Sequence, residues 1–174
     1  MVSDYKEILS DSAKGMKRSA IRELLKLTQK PEIISFAGGL PAKESFPLEQ
    51  LQEICAEVIA TDGAAACQYG STEGVPELLE ILAQRYRDQG LSYVTKENIT
   101  IITSSQQGLD TVGKIFLNRG DKYICELPSY LGALGAFNSY GGVGVGIPQD
   151  EQGMSAVELE KTLAEMKAKG EKPK

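Results

Sequence analysis

The sequence predicts an α/β fold with a mainly parallel sheet, preceded by a mostly helical arm. Three observations lead there. From Ile99 onward, short apolar runs rich in β-branched residues alternate with stretches of helical periodicity. Glycines stand where helical stretches should stop, at Gly90, Gly120 and Gly170. Before Ile99, helix and loop signals dominate.

In chain order, Arg18–Gln29 reads as an amphipathic helix with Ile21, Leu24, Leu25 and Leu27 on one side. Ile33–Phe36 is a short extended run, and the paired glycines and proline of Ala37-Gly38-Gly39-Leu40-Pro41 then rule out regular structure. Pro47–Thr61 is a helix, with proline in its first turn and Gly63 just past its end. Gln68–Gly74 is a polar loop, and Val75–Gln89 a helix with Pro76 in its first turn. Ile99–Thr103 reads as a strand, Ser105–Asn118 as a helix, Tyr123–Leu127 as a strand. Tyr130–Tyr140 is a helix weakened by Gly132 and Gly135. Val143–Ile147 is a strand carrying two glycines, and Ser155–Lys169 a helix. Nothing marks a linker, a repeat or a low-complexity stretch.

Composition narrows the chemistry. The chain has 174 residues, 41% apolar and 25% charged, which is globular usage with room for a sizeable core. A net charge of −5 argues against a broad nucleic-acid surface. No apolar run approaches the ~20 residues of a membrane span. Met1–Ser12 lacks the apolar centre of a secretory signal. Cys55, Cys67 and Cys125 follow no metal spacing and imply no disulfide framework, so they read as buried, reduced thiols of a cytoplasmic protein. Histidine is absent, which removes Ser-His and Cys-His nucleophile pairs and most zinc sites from this chain. Acid–base work near neutral pH therefore falls to Lys, Tyr, Asp, Glu or a cofactor.

The most informative junction is Ile99-Thr-Ile-Ile-Thr-Ser-Ser-Gln-Gln-Gly-Leu-Asp110. A helix that starts within two or three residues of a strand offers unpaired N–H groups and the positive end of its dipole, and small hydroxyl residues stand there beside Gln106. That combination holds a phosphate without a lysine, at the strand edge where α/β sheets bind ligands. The plainer reading is a serine cap on an ordinary helix. Tyr130, after Glu126-Leu-Pro-Ser, falls at the same edge, where its ring would stack on a planar ligand or simply pack in the core. Tyr69, in Gln68-Tyr-Gly-Ser-Thr-Glu-Gly74, would reach a phosphate or serve only a turn. Gly38 and Gly39 permit close backbone approach or make a plain turn.

In order and spacing, Phe36-Ala-Gly-Gly-Leu-Pro41, Gln68-Tyr-x-x-Thr-Glu-Gly74, Ser105-Gln-Gln107 and Pro128-Ser-Tyr130 resemble the fold-type-I pyridoxal-phosphate-dependent aminotransferases of class I/II. The chain is most similar to the branch acting on 2-aminoadipate, aromatic amino acids and kynurenine, and branched-chain amino acids, from about Ser19 onward. The resemblance implies an aspartate aminotransferase-like, three-layer α/β/α large domain, incomplete here. Residues 1–45 would form an arm and cover segment, and residues 46–174 the N-terminal part of that domain. It further implies that Ser105 and Gln106 bind the phosphate of pyridoxal 5′-phosphate, that Tyr130 stacks on its ring, and that Tyr69 reaches the phosphate of a homodimer partner. Gly38 and Gly39 would lie against the substrate carboxylate, and Arg22 would grip a side-chain carboxylate of the substrate. Two positions depart from the family pattern: Ser104 stands where relatives usually have glycine, and Gly70-Ser71 where they have Ser-Pro. If residue 104 needs a positive φ, serine costs energy there.

The resemblance also implies that the Schiff-base lysine and the residues contacting the pyridine nitrogen, ring oxygen and substrate carboxylate would follow Lys174. None of the chain's lysines stands at the matching position, so the isolated chain is expected to be inactive in transferring an amino group to a 2-oxo acid such as 2-oxoglutarate. The alternative is a non-catalytic truncated paralogue that serves as a dimerisation module. Gly141-Gly-Val-Gly-Val-Gly146 does not make a dinucleotide fingerprint, because it precedes and enters a strand instead of opening a helix.

Overall fold

The structure, a computed structural model, describes residues 7–15, 33–34 and 39–174. The expected Arg18–Gln29 helix and Ser35–Gly38 lie outside the described residues. In chain order the described helices are α1 (Asp11–Gly15), α2 (Leu48–Ala66), α3 (Pro76–Asp88), α4 (Ser104–Phe116), α5 (Leu131–Ser139) and α6 (Ala156–Ala168). The strands are β1 (Lys122–Leu127), β2 (Val143–Asp150) and β3 (Gly153–Met154). The chain forms two compact units, residues 18–101 in one and residues 1–17 with 102–174 in the other.

In the first unit, α3 begins as its sequence dictates. Val75 is the N-cap, Pro76 occupies the first turn, Glu77 faces the positive dipole end, and Arg85 and Arg87 stand in the last turn. Gly90 follows at φ +94°. Leu79 and Ala83, one turn apart, are buried, as is Val94 beyond the helix. Arg87 fastens that packing, donating to the Val94 carbonyl at 3.0 Å and pairing with Glu80 at 2.7 Å.

Helix α2 runs further than the sequence suggests. Expected to stop before Gly63, it continues to Ala66 across a break at Asp62 (φ −139°, ψ 24°). Two local causes are visible. The Thr61 hydroxyl donates back to the Glu57 carbonyl at 2.8 Å, a pattern that bends helices, and Ala64–Ala66 then restore the strongest helix former. No residue of α2 is buried, so Cys55 and Cys67 are exposed and not interior thiols as expected. Cys125 is half-buried.

The expected strand at Ile99–Thr103 is absent. Ile99 is extended (φ −123°, ψ 137°), and the Ile101 amide makes a single bond of 2.7 Å to the Glu73 carbonyl. No described strand lies alongside it, so β-branched residues lead to an extended backbone without a ladder.

The second unit carries the sheet, in the order β1-β2-β3. β1 and β2 are parallel and joined through α5, with Lys122 opposite Val143 and Leu127 opposite Pro148. β2 extends beyond the expected Ile147 to Asp150, through Pro148, and its end pairs antiparallel with β3. α5 and α6 pack on β2, and α4 packs on α5. The core is small: Tyr123, Ala136, Ile147 and Met166 are buried, Ile147 completely. The Tyr123 ring meets Phe137 edge-on at 5.1 Å, and its hydroxyl donates to Asn138 Oδ1 at 2.9 Å. Side chains of β1 cover the glycines of β2: a Cβ on Gly144 would lie 3.0 Å from the Tyr123 hydroxyl, and one on Gly146 3.3 Å from Leu127.

Two local devices close this unit. Ser155 caps α6, its hydroxyl oxygen accepting from the Glu158 amide at 3.4 Å. After α6, Glu171 pairs with Lys122, and the Lys174 amide donates to the Lys122 carbonyl at 2.7 Å.

Candidate functional site

The site is built where α4 begins. Thr103 is its N-cap, and Ser104, the first helical residue, has φ +62°. Among the described residues it is the one non-glycine residue with positive φ. The position expected to need glycine does adopt the left-handed conformation, and serine pays about 1–2 kcal/mol for it. The amides of Ser104, Ser105 and Gln106 have no carbonyl one turn back to bond among the described residues. The Thr103 amide is occupied: it donates to Gln107 Oε1 at 2.5 Å. Gln107 thus closes the entry to the helix and leaves the next three N–H groups as the donor set.

Tyr130 stands at the start of α5, where it is the N-cap residue. It follows β1 by way of Pro128 and Ser129, so it leaves the sheet at the C-terminal ends of the parallel strands. Its side chain is 60% exposed, which answers the core-packing alternative: the ring is not a core ring. Two carboxamides fasten this turn. Gln106 Nε2 donates to the Gly132 carbonyl at 3.2 Å, and Gln149 Nε2 donates to the Pro128 carbonyl at 2.7 Å. A Cβ built on Gly132 would come within 2.5 Å of Tyr130 Cε1 and 2.7 Å of Gln106 Oε1. Glycine at 132 therefore leaves room for the ring and the Gln106 carboxamide on either side of it.

This arrangement ties Gln106 to the turn that bears Tyr130, with Ser105 next to Gln106 in the first turn of α4. It joins free amides, the positive end of a thirteen-residue helix and an exposed aromatic face, which suits an anionic group attached to a flat ring. Gln149 and Gly132 were not singled out as site residues. Their only sequence signal is position, Gln149 near the end of β2 and Gly132 in the first turn of the helix that follows β1.

The remaining expected site residues are Tyr69, Gly39, Gly38 and Arg22. Tyr69 belongs to the other compact unit and is 99% exposed, with its own amide bonded to Gln68 Oε1 at 2.8 Å. Gly39 is exposed, with open space where a side chain would begin. Gly38 and Arg22 lie outside the described residues. An open cleft along residues 43–50 involves none of these positions. Among the described residues no acidic or cysteine cluster could hold a metal ion, and no helix is long and apolar enough to cross a membrane.

The chain is similar to known proteins. The family model for aminotransferase class I and II matches residues 31–174. Aromatic-amino-acid aminotransferase 1 of Thermococcus litoralis is 44% identical over 98% of this chain and 41% of its own length. The 2-aminoadipate transaminase of Thermus thermophilus is 42% identical over 91% of this chain and 38% of its own. Among solved structures, the kynurenine aminotransferase of Pyrococcus horikoshii, in complex with PMP, superposes with a TM-score of 0.85 at 41% identity, covering 99% of this chain and 42% of that one. The chain spans about two fifths of the length of the relatives it matches. The partial α/β sheet, the helix start at Ser104–Gln106 and the family match over most of the sequence converge: this chain belongs to the aminotransferase class I and II family.

Proposed function

We propose that this chain is the N-terminal part of a cytoplasmic, homodimeric aminotransferase that uses pyridoxal 5′-phosphate to move an amino group from an amino acid to a 2-oxo acid such as 2-oxoglutarate. The observation that carries the proposal is the bond from the Gln106 carboxamide to the Gly132 carbonyl, which ties the turn bearing Tyr130 to the open first turn of α4. The residues fit the cofactor: amide donors suit a phosphate, and the exposed ring suits a pyridine face. In this reading the amides of Ser105 and Gln106, with the Ser105 hydroxyl, hold the phosphate. Tyr130 covers one face of the ring and fixes its plane. When bound, the cofactor supplies an electron sink for cleavage next to the amino group.

The roles of Tyr69, Gly38, Gly39 and Arg22 are proposed on the family likeness. Tyr69 serves the phosphate of a partner subunit, the two glycines admit the substrate carboxylate, and Arg22 selects a side-chain carboxylate. The relatives named for 2-aminoadipate, aromatic amino acids and kynurenine suggest a donor of that range. The chain by itself has no lysine at the matching Schiff-base position, and we propose that it does not turn over alone.

Titrating the chain with pyridoxamine 5′-phosphate by calorimetry tests the cofactor reading. The parent should bind, and Tyr130→Ala should bind about tenfold more weakly, the worth of one aromatic stack. Equal binding by both proteins would refute the assignment. A half-transamination by the isolated chain would refute the inactivity.

A further inference from the structure

We infer that Gln149 and the side chain of Gln106 form a clamp that positions Tyr130. This deepens the cofactor reading above and rests on it. Tyr130 sits midway between two carbonyls that are each held by a glutamine carboxamide. Two residues before it, the Pro128 carbonyl accepts from Gln149 Nε2 at 2.7 Å. Two residues after it, the Gly132 carbonyl accepts from Gln106 Nε2 at 3.2 Å. Each bond reaches across sequence, from the end of β2 in one case and from the first turn of α4 in the other.

An exposed aromatic ring gains little from packing, so its place is set by the backbone that carries it and by its near neighbours. Here the backbone is held on both sides, and the third wall is Gly132, whose missing side chain leaves room for Tyr130 Cε1 and Gln106 Oε1 together. The two glutamines act through Tyr130, so they are positioning residues. Gln106 then has two separable roles: its backbone amide belongs to the anion cradle, and its side chain belongs to the clamp.

Three proteins test this: the full chain, Gln106→Leu and Gln149→Leu. Both glutamines are exposed, so the amide spectra should report an unchanged fold. Nuclear Overhauser contacts between the Tyr130 ring and the Gln106 carboxamide should appear in the parent and weaken in both variants. Pyridoxamine 5′-phosphate should bind each variant roughly fivefold more weakly, the worth of one neutral hydrogen bond. Inorganic phosphate, which has no ring to stack, should bind the full chain and Gln149→Leu alike. Equal losses for both probes in Gln149→Leu would overturn the clamp, because Gln149 would then act on the anion. Unchanged binding of pyridoxamine 5′-phosphate in both variants, or absent ring contacts in the parent, would overturn it as well. A parent that shows the contacts yet binds neither probe would refute the cofactor reading and, with it, the purpose assigned to the clamp.

Discussion

The Cγ1 atom of Ile101 occupies the place where a side chain at residue 74 would begin, 2.5 Å from a Cβ built on Gly74. The same pair of segments is joined by the Ile101 amide, which donates to Glu73. Gly74 also has φ +126°, a conformation that side-chain-bearing residues rarely adopt. Gly74→Ala should therefore destabilise the chain by about 2–4 kcal/mol, combining backbone strain with overpacking. Urea unfolding measures it. Adding Ile101→Ala to Gly74→Ala should relieve the clash and leave the backbone cost, so a double variant with no relief would contradict the steric part.

Ser104 offers the opposite case. Replacing it with glycine removes the left-handed penalty but frees the unfolded backbone, so Ser104→Gly should gain roughly 0.5–1 kcal/mol. Ser104→Val should lose stability, because a β-branched residue tolerates φ +62° less well. A thermal melt in which glycine and valine behave alike would show that residue 104 is not strained.

Tyr123 should make the fold sensitive to alkali. Burial, and then the neighbouring Cys125, push its hydroxyl above the ordinary value of 10. The folded state thus holds that proton more tightly than the unfolded chain does. Its contribution is complete below pH 10 and is lost as pH rises through the raised value. Tyr123→Phe should cost about 1 kcal/mol at neutral pH, for the bond to Asn138, and should flatten the alkaline limb of a pH–stability profile. Tyr140, also raised, remains to give the residual slope.

Glu171 acts at the other end of the scale. Its hydrogen bond and charge pairing with Lys122 hold its carboxyl below the ordinary 4.5. The pairing is present above that ordinary value and is lost as pH falls through the lowered one. Protection of the Lys174 amide, which bonds to the Lys122 carbonyl, should fall relative to its intrinsic exchange rate as pH drops through the lowered value, and should be low at all pH values in Glu171→Gln. Exchange independent of both would show that the ion pair does not hold the segment.

Much of the fold was legible in the sequence because the signals were local. Pro76, Gly90 and Gly170 mark helix ends through their own backbone chemistry, and the structure follows them. Ile99–Thr103 misled because a strand is a property of two segments, and one segment shows only its preference. Gly63 misled in the other direction, since three alanines after it carry the helix on. At the site, the left-handed need at residue 104 was legible from the family pattern. The Gln106 and Gln149 bonds were not, because long side chains reaching across 26 and 21 residues leave no periodic trace.

The glycine alternation in β2 has a consequence for strand registration. Sliding β1 by one position would set its cover residues over Val143 and Val145 and turn every side chain to the wrong face. Sliding it by two would keep the faces and still find a glycine under Tyr123, so the alternation is blind to that error. What forbids it lies at the mouth of the pair, where the Gly120 amide meets the Gly141 carbonyl and the Val143 amide meets Asp121, each at 2.8 Å. The sheet is thus indexed from its first rung, and a lengthened turn at residues 118–121 would shift the whole ladder.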